Sequence, residues 1–154
     1  LWDIGPYAIH TLRQCFKENP KRVKAIAKLN EYGADIATSG LIDFGNSKRA
    51  TFDISFECTR RSEFEAFGPL GRVKCPTVWQ PEDKQAKIII NTENTGLTEE
   101  VVSAANHFNL EINHFNKVIN SDIPPKLSNK DALWNVKTLE SIQESIQKDE
   151  WVNL

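Results

Sequence analysis

Asp3 and Tyr7, four residues apart, carry the chemistry in this sequence. They straddle a helix-start signal: Gly5 is tolerated at an N-cap, and Pro6 is favoured at the first helical position because its missing N–H costs nothing there. Ile9, Leu12, Cys15 and Phe16 follow on one stripe at helical spacing, which predicts a short amphipathic helix. A carboxylate and a phenol are then neighbours near the positive end of a helix, where ionised oxygen is favoured. The same two residues also serve plainer ends, as a helix cap and a half-buried aromatic. His10, one turn beyond Tyr7 on the same face, and Trp2 just before the helix are candidates to touch a small molecule. Each has a structural alternative, a satisfied histidine and a core indole.

A chain of 154 residues is long enough to bury a core as one domain, and we expect a single domain over residues 1–154. Apolar and charged shares of 40% and 26% are those of an ordinary globule. A net charge of −2 with scattered basic residues offers no footprint for nucleic acid. No apolar run approaches the roughly 20 residues that span a bilayer. With no secretory signal at the start, the expectation is a cytoplasmic protein without membrane partners. Cys15, Cys58 and Cys75 lack metal-ligand spacing and read as reduced thiols, two of them within patterns that bury small residues. His107 and His114 share a helix face, but two imidazoles without a third ligand do not make a metal site. Arg60-Arg61 reads as a charged turn.

The elements that must position Asp3 and Tyr7 follow in order. Asn19-Pro20 stops the first helix. Val23, Ala25, Ala27 and Leu29 alternate with polar neighbours in a strand over 21–30, with Ile26 as the exception. A second strand is expected over 36–44 with Gly40 as a bulge, then a hairpin turn at Gly45-Asn46-Ser47-Lys48. In the third strand Ala50, Phe52, Ile54, Phe56 and Cys58 face one way. Shorter strands are expected at 63–67, 72–78 and 84–91, the last two separated by Pro76 and Pro81. From Leu97 the period reads as 3.6, through Val101, Ala105, Phe108, Ile112, Phe115 and Ile119, until Asp122-Ile123-Pro124-Pro125. Ser128 or Asn129 caps a last helix with Ala132, Val136, Leu139, Ile142 and Ile146 on its stripe, and Trp151–Leu154 reads as an edge strand. Strands flanked by helices mean α+β, a mainly antiparallel sheet with helices on one face.

The opening string Leu-x-Asp-Ile-Gly-x-Tyr-x-Ile-x-x-Leu resembles the start of the C-terminal domain of the glucose–fructose oxidoreductase / inositol dehydrogenase / rhizopine-catabolism family of NAD(P)-dependent oxidoreductases. Further segments resemble the family in order: Pro20-Lys21-Arg22-Val23-Lys24-Ala25, Phe67-Gly68-Pro69-Leu70-Gly71-Arg72-Val73, Glu111 to Ile119, and Asp131-Ala132-Leu133 through Ser145. Together they cover nearly the whole chain.

The resemblance implies an α+β domain with a large open sheet that forms a homodimer and a first helix that borders the substrate site. It implies a separate N-terminal Rossmann domain that binds NAD or NADP and brings a lysine. No Gly-x-Gly-x-x-Gly follows a strand here, so this chain alone is expected to hold no dinucleotide. Tyr7 matches the position that exchanges a proton with the substrate oxygen during hydride transfer, with Asp3 beside it. An ordinary phenol titrates near pH 10, so ionising one at neutrality takes about 4 kcal/mol. A helix N-terminus supplies roughly 0.3–1 kcal/mol, and the implied lysine is the source of the rest. The implied substrates are a sugar, polyol or dihydrodiol, with Tyr7 and Asp3 catalytic and His10 and Trp2 in contact. A second reading, a ligand-sensing or regulatory protein of the same fold, stays open.

Overall fold

The computed structural model describes residues 1–79, 84–120 and 123–154. Pro81, expected to separate two strands, and Asp122, expected to help end a helix, lie outside the described residues. The chain divides into two compact units, one of residues 1–58 with 127–154 and one of residues 59–126. The secondary structure is that of an α+β protein whose named strands pair antiparallel throughout, distributed between two four-stranded sheets.

In the first unit, helix α1 (Gly5–Phe16) precedes strands β1 (Arg22–Leu29), β2 (Asp35–Gly45) and β3 (Lys48–Ser55). Helix α3 (Asn129–Lys148) and strand β8 (Val152–Asn153) complete it from the far end of the sequence. The sheet order is β3-β2-β1-β8, so the expected edge strand at the C-terminus adds beside β1. Val23, Ala25, Ile42, Phe44, Phe52 and Val152 from the sheet meet Ile9 of α1 and Leu139 and Ile142 of α3 in one core. Ile26, the apolar residue on the polar side of β1, is indeed exposed. Where β8 stops short along β1, the amide of Ala25 donates to the buried Ser145 hydroxyl at 3.0 Å, and that hydroxyl donates to the Glu150 carbonyl at 2.6 Å. A small polar side chain thereby substitutes for a missing strand.

Several details differ from expectation, each because a partner distant in sequence decided it. Gly40 is not a bulge: it pairs in unbroken register with Ala25 and Phe52. Its reason is space, since a Cβ there would lie 2.5 Å from the Phe52 ring and 2.9 Å from the Lys24 carbonyl oxygen. Gly40→Ala is therefore expected to destabilise by about 1–3 kcal/mol, read as a lower urea midpoint at unchanged slope. The hairpin turn falls where expected, with Asn46 and Ser47 at φ of 51° and 64°, the left-handed pair that a two-residue hairpin demands. β3 ends at Ser55, which leaves Phe56 and Cys58 exposed. On α3, Ala132 and Val136 are exposed and Thr138, Ser141 and Ser145 join Leu139 and Ile142 in the buried stripe.

The second unit holds β4 (Phe64–Gly68), β5 (Gly71–Cys75), β6 (Ala86–Thr92), β7 (Gly96–Val102) and α2 (His107–Ile119), with the strands in sequential order. The expected start of a helix at Leu97 is corrected to β7, because Leu97 to Val102 pair residue for residue with Asn91 back to Ala86. Gly96, at φ 66°, turns the chain into that pairing. α2 begins only at His107, where the Asn106 side chain accepts from the Asn109 amide. Its stripe of Phe108, Ile112, Phe115 and Ile119 is present but exposed, and α2 has no buried residue.

The cysteines also depart from the expected burial. Cys15 and Cys58 are exposed, and only Cys75 is half-buried, where desolvation pushes its thiol up. Iodoacetamide is thus expected to label Cys15 and Cys58 before Cys75, in an order that peptide mass mapping reads directly. Among the described residues no helix is long and apolar enough to cross a membrane.

Candidate active site

α1 starts one residue earlier than its sequence signals suggest. Ile4 is the N-cap, with no side-chain cap, and Gly5 is the first helical residue, its amide bound to the Leu1 carbonyl at 2.8 Å. Asp3 therefore does not cap the helix. Gly5 is where α1 passes closest to its neighbours: a Cβ there would lie 3.0 Å from Leu1, 3.3 Å from Leu139 and 3.4 Å from Ile54. This contact fixes the rotation of the helix, turning Ile9 into the core and leaving Tyr7 outside.

Tyr7 is 56% exposed in the first turn of α1, and its hydroxyl has no partner among the described residues. Asp3, in the turn that leads into the helix, is exposed and equally without a partner there. The two groups are not bonded to each other. Both remain open to a third species. Trp2, 46% exposed, donates its indole N–H to Gln143 Oε1 on α3 at 2.9 Å, so one edge of the ring is tied while part of its surface stays outside. His10 is half-buried, its Nδ1 3.3 Å from Asp131 Oδ2. All four expected site residues thus lie on or just before α1, in one unit.

The sequence reading missed what holds this helix to α3. Arg13, 5% exposed, occupies the buried stripe in place of Cys15, which is exposed. Its guanidinium donates to Asp131 Oδ1 at 2.9 Å, to the Asp131 carbonyl at 3.1 Å, to Asn135 Oδ1 at 3.4 Å, and to Asn19 Oδ1 at 3.1 and 3.3 Å. Gln14 donates to the same Asp131 oxygen at 3.0 Å. Asp131 is itself placed by the start of α3, where the Ser128 hydroxyl accepts from its amide at 3.2 Å. Two signals were available: Arg13 sits four residues after Ile9, and Asp131 sits three residues after a capping serine. Beside this cluster an open groove of about 310 Å³ is lined by Lys17, Lys130 and Trp134 among others.

Elsewhere the histidines go to other uses. His114 accepts at Nε2 from the Lys126 amide at 3.3 Å, and His107 lies against Phe108. No group of three or more His, Cys, Asp or Glu side chains suited to a metal gathers among the described residues.

Comparison with known proteins gives consistent results. Residues 1–74 match the family model of the GFO/IDH/MocA C-terminal domain. An uncharacterized oxidoreductase of Rhizobium meliloti is 26% identical over 157 residues, covering 98% of this chain and 47% of that protein. Among solved structures, the 3-ketoreductase KijD10 of Actinomadura kijaniata, in complex with TDP-benzene and NADP, superposes with a TM-score of 0.83 at 19% identity, over 93% of this chain and 46% of its own. The aldose-aldose oxidoreductase of Caulobacter crescentus, complexed with glycerol, superposes with a TM-score of 0.79 at 17% identity, over 97% of this chain and 46% of its own. At these identities the superpositions speak for the fold. The chain spans about half the length of these relatives. Over its first 74 residues the chain is similar to the GFO/IDH/MocA C-terminal domain, and its fold is shared with about half of each of these solved structures.

Proposed function

We propose that residues 1–154 are the substrate-binding and dimerisation domain of an NAD(P)-dependent oxidoreductase that interconverts a hydroxyl and a carbonyl on a sugar, polyol or dihydrodiol. Tyr7 exchanges the proton at the substrate oxygen, Asp3 hydrogen-bonds the substrate or orients its partner, and His10 and Trp2 contact the substrate. One observation carries the reading: the Tyr7 hydroxyl is exposed and has no partner among the described residues, and the same holds for the Asp3 carboxyl in the turn before it, on a helix end that packing holds in place. The nicotinamide cofactor supplies the hydride, and a separate N-terminal Rossmann domain binds it in the intact protein. Replacing Tyr7 with Phe in the intact enzyme, with turnover and cofactor affinity measured together, tests the assignment.

Two further elements belong to this reading. The chain by itself is expected to give no fluorescence change with NADPH, because its sequence has no Gly-x-Gly-x-x-Gly to bring backbone amides to a pyrophosphate. Micromolar binding would overturn that part. Homodimerisation through the sheet is supported by one face of β4–β7, where Glu63–Lys74, Glu65–Arg72 and Lys87–Glu99 form ion pairs. Phe67, Leu97 and Val101 stand exposed on that face. A surface bearing both charge signs around apolar residues suits a self-complementary two-fold contact.

A further inference from the structure

Asp131, Asn135, Leu139 and Gln143 recur at every fourth position of α3 and so share one face. That face meets α1 and its lead-in segment in reverse order. Asp131 accepts from Arg13, and the Asn135 amide Nδ2 donates to the Pro6 carbonyl at 3.2 Å. The Leu139 side chain lies 3.3 Å from where a Cβ on Gly5 would stand, and Gln143 Oε1 accepts from the Trp2 indole at 2.9 Å. The neighbours decide which way the Asn135 amide points: its Oδ1 accepts from Arg13 at 3.4 Å, and exchanging oxygen for nitrogen would set donor against donor. α1 needs this support for a local reason. It begins without a side-chain cap, and uncapped helix ends fray over the first turn, which is where Tyr7 stands. The peptide joining Pro6 to Tyr7 is planar, so an oxygen held at Pro6 also holds the Tyr7 Cα. Asn135 is half-buried, where water competes less for the bond than it does at the surface. Trp2 precedes the helix, and its single donor is the one that Gln143 takes.

We infer that Asn135 and Gln143 are positioning residues: Asn135 fixes the peptide from which Tyr7 projects, and Gln143 fixes the indole of Trp2. The inference rests on the reading of Tyr7 and Trp2 above and adds to it a division of roles along one face of α3. The Asn135 bond governs how the phenol approaches the reacting oxygen, an alignment that matters in the chemical step. The Gln143 bond governs a contact made equally before and during that step, which is uniform binding. The two bonds therefore act on different kinetic constants.

Steady-state kinetics of the intact protein, with D-glucose as the probe and NAD or NADP as cofactor, read that division. Asn135→Asp keeps an oxygen for Arg13 and removes only the donor to Pro6. Its kcat is expected to fall about 10- to 100-fold with KM held within about twofold. Gln143→Met keeps the length of the side chain and loses the acceptor, so KM is expected to rise about three- to tenfold with kcat retained. Gln143→Glu keeps an accepting oxygen and is expected to restore KM. Equal changes in both constants for the two variants, or no restoration by Gln143→Glu, mark contacts that only stabilise the fold and overturn the inference. Spectra without substrate form a second arm, which decides alone where glucose is not turned over. The Pro6 carbonyl carbon-13 resonance is expected to move upfield in Asn135→Asp. The Trp2 indole N–H, assigned by its loss in Trp2→Phe, is expected to exchange faster with water in Gln143→Met and not in Gln143→Glu. Resonances that stay unmoved overturn the inference. Tyr7→Phe, measured in parallel, separates the two failures. Turnover lost there but unchanged in Asn135→Asp removes this inference and leaves the proposed function standing, whereas turnover kept in Tyr7→Phe removes both.

Discussion

On the proposed function, Tyr7→Phe in the intact protein is expected to lower kcat by about two to four orders of magnitude, the range that a positioned general acid or base contributes. The substitution is close to isosteric. It removes one oxygen from a ring that is more than half exposed, and that oxygen bonds nothing in the protein among the described residues. Folding stability should therefore change little, because no internal hydrogen bond is broken and no cavity opens. Cofactor affinity should stay within about twofold, since the change is confined to an interaction made as the proton moves. Steady-state kinetics with a direct cofactor titration checks both halves. Turnover within a few-fold of the unaltered enzyme removes Tyr7 from the mechanism and returns the second reading, a ligand-binding protein of the same fold. Asp3→Asn in the same background distinguishes its two roles. An Asp3 that orients its partner by charge loses kcat, whereas one that only hydrogen-bonds substrate chiefly raises KM.

Asp131→Ala is expected to produce the largest loss of stability, about 3–5 kcal/mol, because it strands a guanidinium that is 95% withdrawn from solvent. The lower end of that range is favoured by the bonds Arg13 keeps, to the backbone carbonyl of residue 131 and to the side chains of Asn19 and Asn135. For a chain of this size, a loss of about 3 kcal/mol corresponds to a fall in Tm of roughly 6–12 °C, measurable by calorimetry. Arg13→Leu alone should cost less, since Asp131 retains Gln14, His10 and partial exposure. The double replacement by leucines should recover much of the loss, because it removes both the charge and the need to compensate it. A loss below about 1 kcal/mol for Asp131→Ala would falsify the ionic account and leave the amide and carbonyl partners as sufficient for Arg13. The functional consequence follows from the location of the pair. Arg13 and Asp131 join α1 to α3, so loosening them shifts the helix that carries Tyr7 and His10.

The sequence alone determined the elements whose cause is local. Alternation at Val23 and Ala25, left-handed residues at Asn46 and Ser47, proline at the start of α1 and the Ser128 cap of α3 all act within a few residues, so each was legible before any coordinates. The likeness of the opening segment to the GFO/IDH/MocA C-terminal domain was legible for the same reason. Only the tertiary structure decided depth and partnership. Leu97 to Val102 read as the start of a helix because Val101, Ala105 and Phe108 fit that period, but the open edge of β6 offers a full ladder of hydrogen bonds to a strand and none to a helix. Cys15 and Arg13 lie two residues apart on α1. Which of them turns inward depends on Asp131, 118 residues downstream of Arg13, since a buried cation is tolerable only where an anion is already waiting. Gly40 and Gly5 likewise owe their identity to Phe52 and Leu139, neighbours created by folding. Periodicity reports which side of an element is apolar. What that side meets, and whether it meets anything, belongs to the packing of segments far apart in the chain.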